Sequence, residues 1–311
     1  MAKAAAQPAL GSSLLRRMKR QWVLYLFLAL PVICVILFSY VPMYGAVLAF
    51  KNYRPNRGIL GSEWAGLKYF AQFFRSPNFS LLLKNTLILS LYSLVASLPI
   101  PILLALCLNE VHIPWFKKTV QMVTYAPYFI STVVMVGMLI QLMSVRTGFF
   151  NKIISSLGGT PIDFMAVPSL FRTIYVFSGV WQGMGYSAII YIAALSNVDP
   201  QLYEAAIIDG ASRLQKIVHI DIPAILPTIV LMLIMALGNV MSIGAEKVYL
   251  MQNNLNLSTS EIISTYVYKI GLIHGQFSLS TAVGLFNSVV NFVLIVLVNA
   301  AARRLGDTSL W

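Results

Sequence analysis

Few side chains in this chain have the type and spacing needed for acid–base, metal or nucleophilic chemistry. The three histidines, His112, His219 and His274, stand far apart, without the close spacing of metal ligands. The sequence contains neither a G-x-x-x-x-G-K-[S/T] phosphate-binding loop nor a G-x-S-x-G nucleophile motif. All ten acidic residues fall outside the long apolar stretches of the chain. We therefore predict no catalytic residue, no metal ligand and no bound cofactor in this chain, and no enzymatic activity.

Uncharged polar and aromatic side chains inside the apolar stretches form a second group that could bind a ligand. Amide and hydroxyl groups form hydrogen bonds with the hydroxyls of a sugar, and aromatic rings stack against its apolar face. Eight such residues are candidates for a substrate path: Tyr125, Gln141, Trp181, Gln182, Tyr186, Asn239, Asn287 and Asn291. Polar side chains in membranes also join helices to one another, so helix packing is the alternative role for each of them.

The composition indicates a membrane protein. Of the 311 residues, 58% are hydrophobic and 10% are charged, against roughly 25% charged residues in ordinary soluble proteins. A membrane-spanning helix needs about 20 apolar residues. Six stretches meet this requirement: Trp22–Tyr44, Thr86–Leu108, Val120–Val145, Ile174–Leu195, Ile222–Ile243 and Leu279–Ala302. The formal net charge of +12 is typical of basic anchors at lipid headgroups, and the composition excludes a soluble enzyme.

The apolar stretches and their flanks predict the orientation and disfavour one class of transporter. Four basic residues precede the first stretch and favour a cytoplasmic N-terminus: Arg16, Arg17, Lys19 and Arg20. We accordingly divide the chain into three parts: a cytoplasmic N-terminal segment at 1–21, a six-helix membrane domain at 22–302 and a cytoplasmic C-terminal tail at 303–311. The stretches contain no Asp, Glu, Lys or Arg, whereas carriers driven by protons or sodium normally need ionisable groups inside the membrane.

The loop between the fourth and fifth stretches has the signals of two short helices joined by a tight turn. Asp199 suits a helix N-cap and Pro200 the first helical position, which predicts a helix over 202–209. Gly210 permits a sharp change of direction, and a second helix over 212–219 leads into the fifth stretch. We predict a rigid helix–turn–helix on the cytoplasmic face of the membrane, with a simple connecting loop as the alternative.

This loop resembles the EAA signature of permease subunits in bacterial ABC importers. Eight positions match that pattern in order: Glu204, Ala205, Ala206, Asp209, Gly210, Ala211, Ile220 and Pro223. Three positions depart from it conservatively: Leu214, Ile217 and Ile222. Further segments, among them Ser39–Gly45, Thr124–Pro127 and the ending Arg304–Trp311, are similar to oligosaccharide permeases of the LplB type, a group that includes alginate permeases.

The resemblance implies an all-α integral membrane fold of six transmembrane helices, with a cytoplasmic coupling helix in the loop 199–223 between helices four and five. It also implies that the loop contacts an ATP-binding subunit through a defined set of residues: Glu204, Ala205, Ala206, Asp209, Gly210, Ala211, Ile217 and Pro223. ATP and Mg would then be bound by partner chains, and ATP hydrolysis in those chains would drive transport.

The same resemblance implies an assembly in the bacterial cytoplasmic membrane. Its other members would be a second permease subunit, two ATP-binding subunits and an extracytoplasmic solute-binding protein, with both termini of this chain cytoplasmic. The expected cargo is an oligosaccharide or polysaccharide fragment. Basic residues in the first outer loop suggest an acidic sugar, an acidic face on the binding protein or contact with lipid headgroups. The alternatives are an ABC permease for a non-sugar substrate and, from another class, a membrane-embedded enzyme.

Overall fold

The computed structural model describes residues 20–238 and 240–305, and within these ranges the chain is almost entirely helical. Arg16, Arg17 and Lys19, the candidate Asn239, and the tail from residue 306 lie outside the described residues. The predicted segment 1–21 and the predicted tail 303–311 are therefore described only where they join the membrane domain, and these divisions stay predictions.

The first half of the chain contains two long helices, with a small sheet and shorter helices between and after them. The helices are α1 (Trp22–Phe50), α2 (Gly58–Gly61), α3 (Lys68–Arg75), α4 (Asn78–Glu110), α5 (Pro114–Phe129), α6 (Thr132–Leu142) and α7 (Phe149–Ser156). Strands β1 (Lys51–Asn52) and β2 (Glu63–Trp64) are antiparallel, with Lys51 opposite Trp64. The amphipathic α3 buries Phe73.

The second half of the chain contains three long helices and four shorter ones. They are α8 (Pro168–Leu195), α9 (Pro200–Ile208), α10 (Arg213–Gly238), α11 (Ala245–Met251), α12 (Leu257–Ser260), α13 (Ile263–Tyr268) and α14 (Phe277–Leu305). A 3-10 turn, Val240–Ser242, follows α10, and a π-helical turn, Lys269–Ile273, follows α13. The chain from α11 to α13 thus connects the two long helices α10 and α14.

Four helices in the described residues, α1, α4, α10 and α14, are long and apolar enough to cross a membrane, and five spans result if α5 and α6 form one broken span. The helix α8 contains the fourth predicted stretch and has 28 residues, which gives a length of about 42 Å. Polar residues such as Arg172 and Gln182 interrupt its apolar character. The helical membrane fold is confirmed, whereas the count of six crossings stays a prediction.

The third predicted stretch, Val120–Val145, is not one continuous helix, because α5 and α6 meet at 101°. Pro127 has no amide hydrogen and cannot bond the carbonyl of Val123, which ends the regular helix. The backbone becomes extended at Ile130, and Ser131 then caps α6 by accepting the amide of Val134. The proline was visible in the sequence. The bend itself arises because the cap at Ser131 starts a new helix in another direction.

The core is organised around α8, which packs against α4, α5, α10 and α12. One buried cluster joins Phe171, Tyr175 and Val180 of α8 to Leu89 of α4. A second cluster forms where α14 meets α3, α4 and α13, and it includes Phe73. A third cluster joins the far ends of α4, α8 and α10. The helix α8 is therefore the element against which the other spans are positioned.

The crossing of α5 and α8 depends on Gly185. A Cβ atom built on Gly185 would lie 2.1 Å from the carbonyl oxygen of Thr124 and 2.9 Å from the ring of Tyr125. Backbone atoms cannot yield as the end of a flexible side chain can, so only glycine fits at this crossing. A Cβ atom built on Gly183, two residues earlier, would meet nothing within 4 Å.

We expect Gly185→Ala to destabilise the protein by about 1–3 kcal/mol, the usual cost of overpacking a well-packed core. The matched variant Gly183→Ala should keep the melting temperature of the wild type or raise it slightly, because alanine favours the helix. Thermal unfolding of both purified variants in detergent measures the difference. Equal melting temperatures for the two variants would contradict the close crossing.

Candidate functional site

The predicted coupling loop begins with the capped helix α9. The Asp199 carboxylate accepts a hydrogen bond from the amide of Gln201 at 2.9 Å, and Pro200 occupies the first helical position. Both features satisfy the start of a helix locally, without help from other elements. The helix starts two residues earlier than the sequence predicts and ends at Ile208.

The turn after α9 is a Schellman motif followed by a capping box. Gly210 has a φ of +73°, the left-handed conformation that glycine adopts without cost. Its amide donates to the carbonyl of Ile207 at 3.1 Å, and the amide of Ala211 donates to that of Ala206 at 2.8 Å. Ser212 and Gln215 then exchange side-chain and backbone hydrogen bonds at the start of α10. Every residue of the turn therefore has a defined position.

The second predicted helix, 212–219, is not a separate element but the first part of α10. The helix continues through a π-helical turn, Ile217–Asp221, in which the amide of Ile222 bonds the carbonyl of Ile217. Pro223 cannot donate to the carbonyl of His219, and the wider turn before the proline keeps the helix unbroken. The loop is thus joined directly to a membrane span.

One side-chain hydrogen bond ties α9 to α10. The hydroxyl of Tyr203 donates to the carboxylate of Asp221, which is fully buried. Burial, together with the hydrogen bond and the negative charge of Asp221, raises the pKa of Tyr203 to about 12, so the hydroxyl stays a donor at neutral pH. The sequence analysis did not identify Tyr203 or predict this bond; an acid beside a long apolar stretch was the available signal.

The outward face of the loop combines a carboxylate with apolar side chains. Glu204, Ala205, Asp209, Gly210 and Pro223 are exposed, and Ala206 and Ala211 are half-buried. Beside them, Ile208 is 85% exposed, and Ile207 and Leu214 are also exposed. Ile217 instead packs against the core cluster of α4, α8 and α10. Six of the eight predicted coupling residues thus lie in one accessible segment, 204–211, whereas Pro223 is exposed further along α10 and Ile217 packs against the core.

Two neighbouring cavities lie between α4, α8 and α10, with volumes of about 160 and 200 Å³. They share Ser97, and their hydroxyl groups come from two helices: Ser90, Ser93 and Ser97 of α4, and Ser187 of α8. The three serines of α4 are spaced for one helix face. The described residues that line the cavities include no charged side chain.

The serine hydroxyls differ in what they already bind. The hydroxyl of Ser90 donates to the carbonyl of Val240, which holds α4 against the end of α10. The hydroxyl of Ser93 is buried and has no hydrogen-bond partner among the described residues. Buried polar groups are normally satisfied, so Ser93 contributes a hydroxyl with unused hydrogen-bonding capacity to the wall of the smaller cavity.

Two of the predicted path residues, Gln182 and Tyr186, contact the break between α5 and α6. The side-chain amide of Gln182 donates to the carbonyl of Ile130 at 2.8 Å. The ring of Tyr186 stacks on Tyr128, with centroids 3.8 Å apart. Trp181 is exposed on the same helix. The amide of Gln182 therefore bonds a backbone group freed by the break, while the two exposed aromatic residues stay candidates for the path.

The remaining predicted path residues are dispersed. Tyr125 lies at the crossing with Gly185, and Gln141 contacts Thr147 at 3.4 Å. Asn291 accepts the amide of Met241 at 2.9 Å, whereas Asn287 has a buried amide oxygen without a partner among the described residues.

None of the seven described candidates lines the two cavities, and Asn239 lies outside the described residues. Sequence reasoning favoured large amides and aromatic rings and passed over serines, for which the i, i+3, i+7 spacing in α4 was the only signal.

Comparison with known proteins identifies relatives over nearly the whole chain. A chain from Bacillus subtilis (strain 168), the polygalacturonan/rhamnogalacturonan transport system permease protein YteP, is 46% identical over 99% of this chain and 98% of its own length. Protein LplB of the same organism is 42% identical over 97% of this chain and 95% of its own length.

A solved structure also matches. It is a bacterial alginate ABC transporter in complex with an alginate pentasaccharide-bound periplasmic protein, and one of its chains is 38% identical, with a TM-score of 0.87. The match covers 95% of this chain and 99% of that chain. The likeness to LplB and to an alginate permease expected from the sequence is confirmed.

Residues 85–307 match the family described as the binding-protein-dependent transport system inner membrane component. This range includes α9, its turn, the Tyr203–Asp221 hydrogen bond and both cavities. The match covers well over half of the chain, and the relatives extend it to the N-terminal helix. The chain is therefore a permease subunit that belongs to the inner membrane component family of binding-protein-dependent transport systems.

Proposed function

We propose that this chain forms part of the path by which an ABC importer moves oligosaccharides or polysaccharide fragments into the bacterial cytoplasm. The observation that carries the proposal is the pair of serine-lined cavities between α4, α8 and α10. Hydroxyl groups without charge suit a sugar, because each can donate and accept a hydrogen bond with a sugar hydroxyl. The sugar-transport names of the relatives support the same cargo.

The coupling of ATP hydrolysis to transport is proposed to pass through α9 and the turn at Gly210. ATP and Mg are bound and ATP is hydrolysed in two partner subunits, which receive the exposed face that contains Glu204, Asp209 and Ile208. Ile207, Ile208 and Leu214 are exposed beside Glu204, and a group of exposed apolar side chains supports contact with a protein partner. The bond between Tyr203 and Asp221 then transmits the movement of α9 to α10.

The remaining parts of the assembly follow from the same proposal. A second permease subunit completes the path, a solute-binding protein delivers the sugar from outside, and both termini of this chain lie in the cytoplasm. The solved alginate transporter was captured with a periplasmic sugar-bound protein, which supports the delivery step. The basic residues ahead of α1 support the orientation.

Reconstitution tests the function directly. The chain is purified with its co-expressed partner subunits, placed in proteoliposomes and supplied with ATP and the binding protein, and uptake of labelled oligosaccharides is measured. ATP-dependent accumulation of an oligosaccharide, and not of an amino acid or short peptide, is the expected result. ATP-driven uptake of the peptide alone would show that the cargo is not a sugar.

We expect Ser97→Trp to reduce sugar uptake at least tenfold, because an indole ring fills the space that the two cavities share. Assembly and basal ATP hydrolysis should remain. The control is Val95→Trp, on the same helix at a position that is 69% exposed and outside both cavities, for which uptake should stay within about twofold. Normal uptake by Ser97→Trp would exclude these cavities from the path.

Glu204→Lys should abolish uptake and lower the recovery of ATP-binding subunits in a pull-down, because it reverses the charge at the proposed contact. The exposed position makes an effect on folding small, since surface substitutions usually change stability by less than about 0.5 kcal/mol. Asn197→Lys introduces a lysine at an exposed position just before α9 and should leave both readouts near wild type. Equal behaviour of the two variants would argue against a specific role for Glu204.

Tyr203→Phe should only partly uncouple sugar transport from ATP hydrolysis. The substitution leaves the Asp221 carboxylate without its donor, at a cost of about 1–3 kcal/mol, and loosens α9 relative to α10. The expected result is a lower number of sugars transported per ATP hydrolysed, with the ATP-binding subunits still attached. Tyr25→Phe, on the exposed face of α1, is the matched control. An unchanged transport ratio in Tyr203→Phe would mean that the hydrogen bond does not transmit movement.

A further inference from the structure

A lysine side chain is buried near the larger cavity, and none of the described acidic residues is its counter-ion. Lys247 of α11 is only 8% exposed. Its ammonium donates to the backbone carbonyl of Tyr175 at 2.7 Å and lies 4.6 Å from the centre of the Tyr175 ring. Both of these partners are neutral. The ion pairs between described residues involve other side chains, Arg57 with Glu63 and Lys269 with Glu261.

The position of Gly179 relates this ammonium to the cavity. Gly179 lines the 200 Å³ cavity together with Ser97, Gly183 and Ser187. A Cβ atom built on Gly179 would lie 3.1 Å from the Nζ atom of Lys247. The ammonium therefore lies close behind Gly179, a residue of the cavity wall, where α8 has no side chain between the charge and the cavity.

A buried ammonium with neutral partners is incompletely compensated. Removal of a charge from water costs several kcal/mol, and a carbonyl and an aromatic face return only part of it. Burial accordingly lowers the pKa of Lys247 to about 8, so that the side chain still carries its proton for most of the time at neutral pH. The group that would complete the site is an anion, and a carboxylate accepts from an ammonium more strongly than a hydroxyl does.

We propose that Lys247 is a specificity-determining residue that pairs with a carboxylate of an acidic oligosaccharide as the sugar passes the serine-lined cavity. This inference rests on the proposed function and narrows its cargo to sugars that contain uronic acids. The serines bind the hydroxyls of the sugar, and Lys247 supplies the one positive charge that distinguishes a uronate from a neutral hexose. Gly179 is part of the same site, because a larger residue would separate the ammonium from the cavity.

The test compares an acid with its neutral ester in proteoliposomes that contain the complete transporter. The probes are a trigalacturonide and its fully methyl-esterified form, and the binding protein is the same in every reaction. Lys247→Met should lower uptake of the acid at least tenfold and change uptake of the ester less than twofold. The control Lys269→Met removes a lysine that already has Glu261 as its counter-ion, and should change both sugars by the same factor.

Three results would overturn the inference. Equal losses for acid and ester in Lys247→Met would make the lysine a structural residue, and unchanged acid uptake would exclude it from the path. If Lys247→Met does not assemble, Lys247→Arg replaces it as the test variant. Because the positive charge is retained, the ratio of acid uptake to ester uptake should stay within about twofold of wild type. A ratio that falls to one contradicts the proposal. Wild-type transporter that takes up neither sugar, but does take up another cargo, would instead refute the proposed function itself.

Discussion

The contact between the backbone of α8 at Gly185 and the carbonyl of Thr124 is the constraint on which the other positions depend. It sets the distance between α5 and α8, and α8 in turn packs against α4, α10 and α12. Gly179 and Gly183 lie on the same helix and line the larger cavity; a Cβ atom built on Gly183 would meet nothing within 4 Å, and one built on Gly179 would meet only the Nζ atom of Lys247. Packing therefore excludes a side chain at Gly185 of α8, whereas the lack of side chains at Gly179 and Gly183 leaves open space at the cavity.

The segment from α9 to the cavities behaves as one mechanical unit. Its caps are local, its turn at Gly210 is fully hydrogen-bonded, and α10 continues from Arg213 to Gly238 without a break. A helix of this length spans about 39 Å, and Ala236 near its end lines the smaller cavity. A displacement at one end can therefore reach the other with little loss, which an alternation between two states of a transporter requires.

Much of the fold could be predicted from the sequence, and the failures have identifiable physical causes. Apolar length predicted α1, α4, α10 and α14, and the signals at Asp199, Pro200 and Gly210 predicted α9 and its turn, because these effects are local. The bend between α5 and α6 depends on a cap at Ser131 as well as on Pro127. The continuation of α10 through a π-helical turn accommodates Pro223, and the sequence shows the proline but not whether the helix ends or continues at it. Which faces of α4 and α8 border a cavity depends on helix packing, so the serines were not identified as site residues.

The volume shared around Ser97 also determines how much water accompanies a substrate. A cavity of about 200 Å³ has room for only a small number of water molecules. A sugar ring that enters must therefore leave most of its hydration shell behind, and the hydroxyls of Ser93, Ser97 and Ser187 can replace only part of those hydrogen bonds. Dehydration of the sugar then becomes a barrier to passage. Its free-energy cost is largest for the most strongly hydrated group of the sugar.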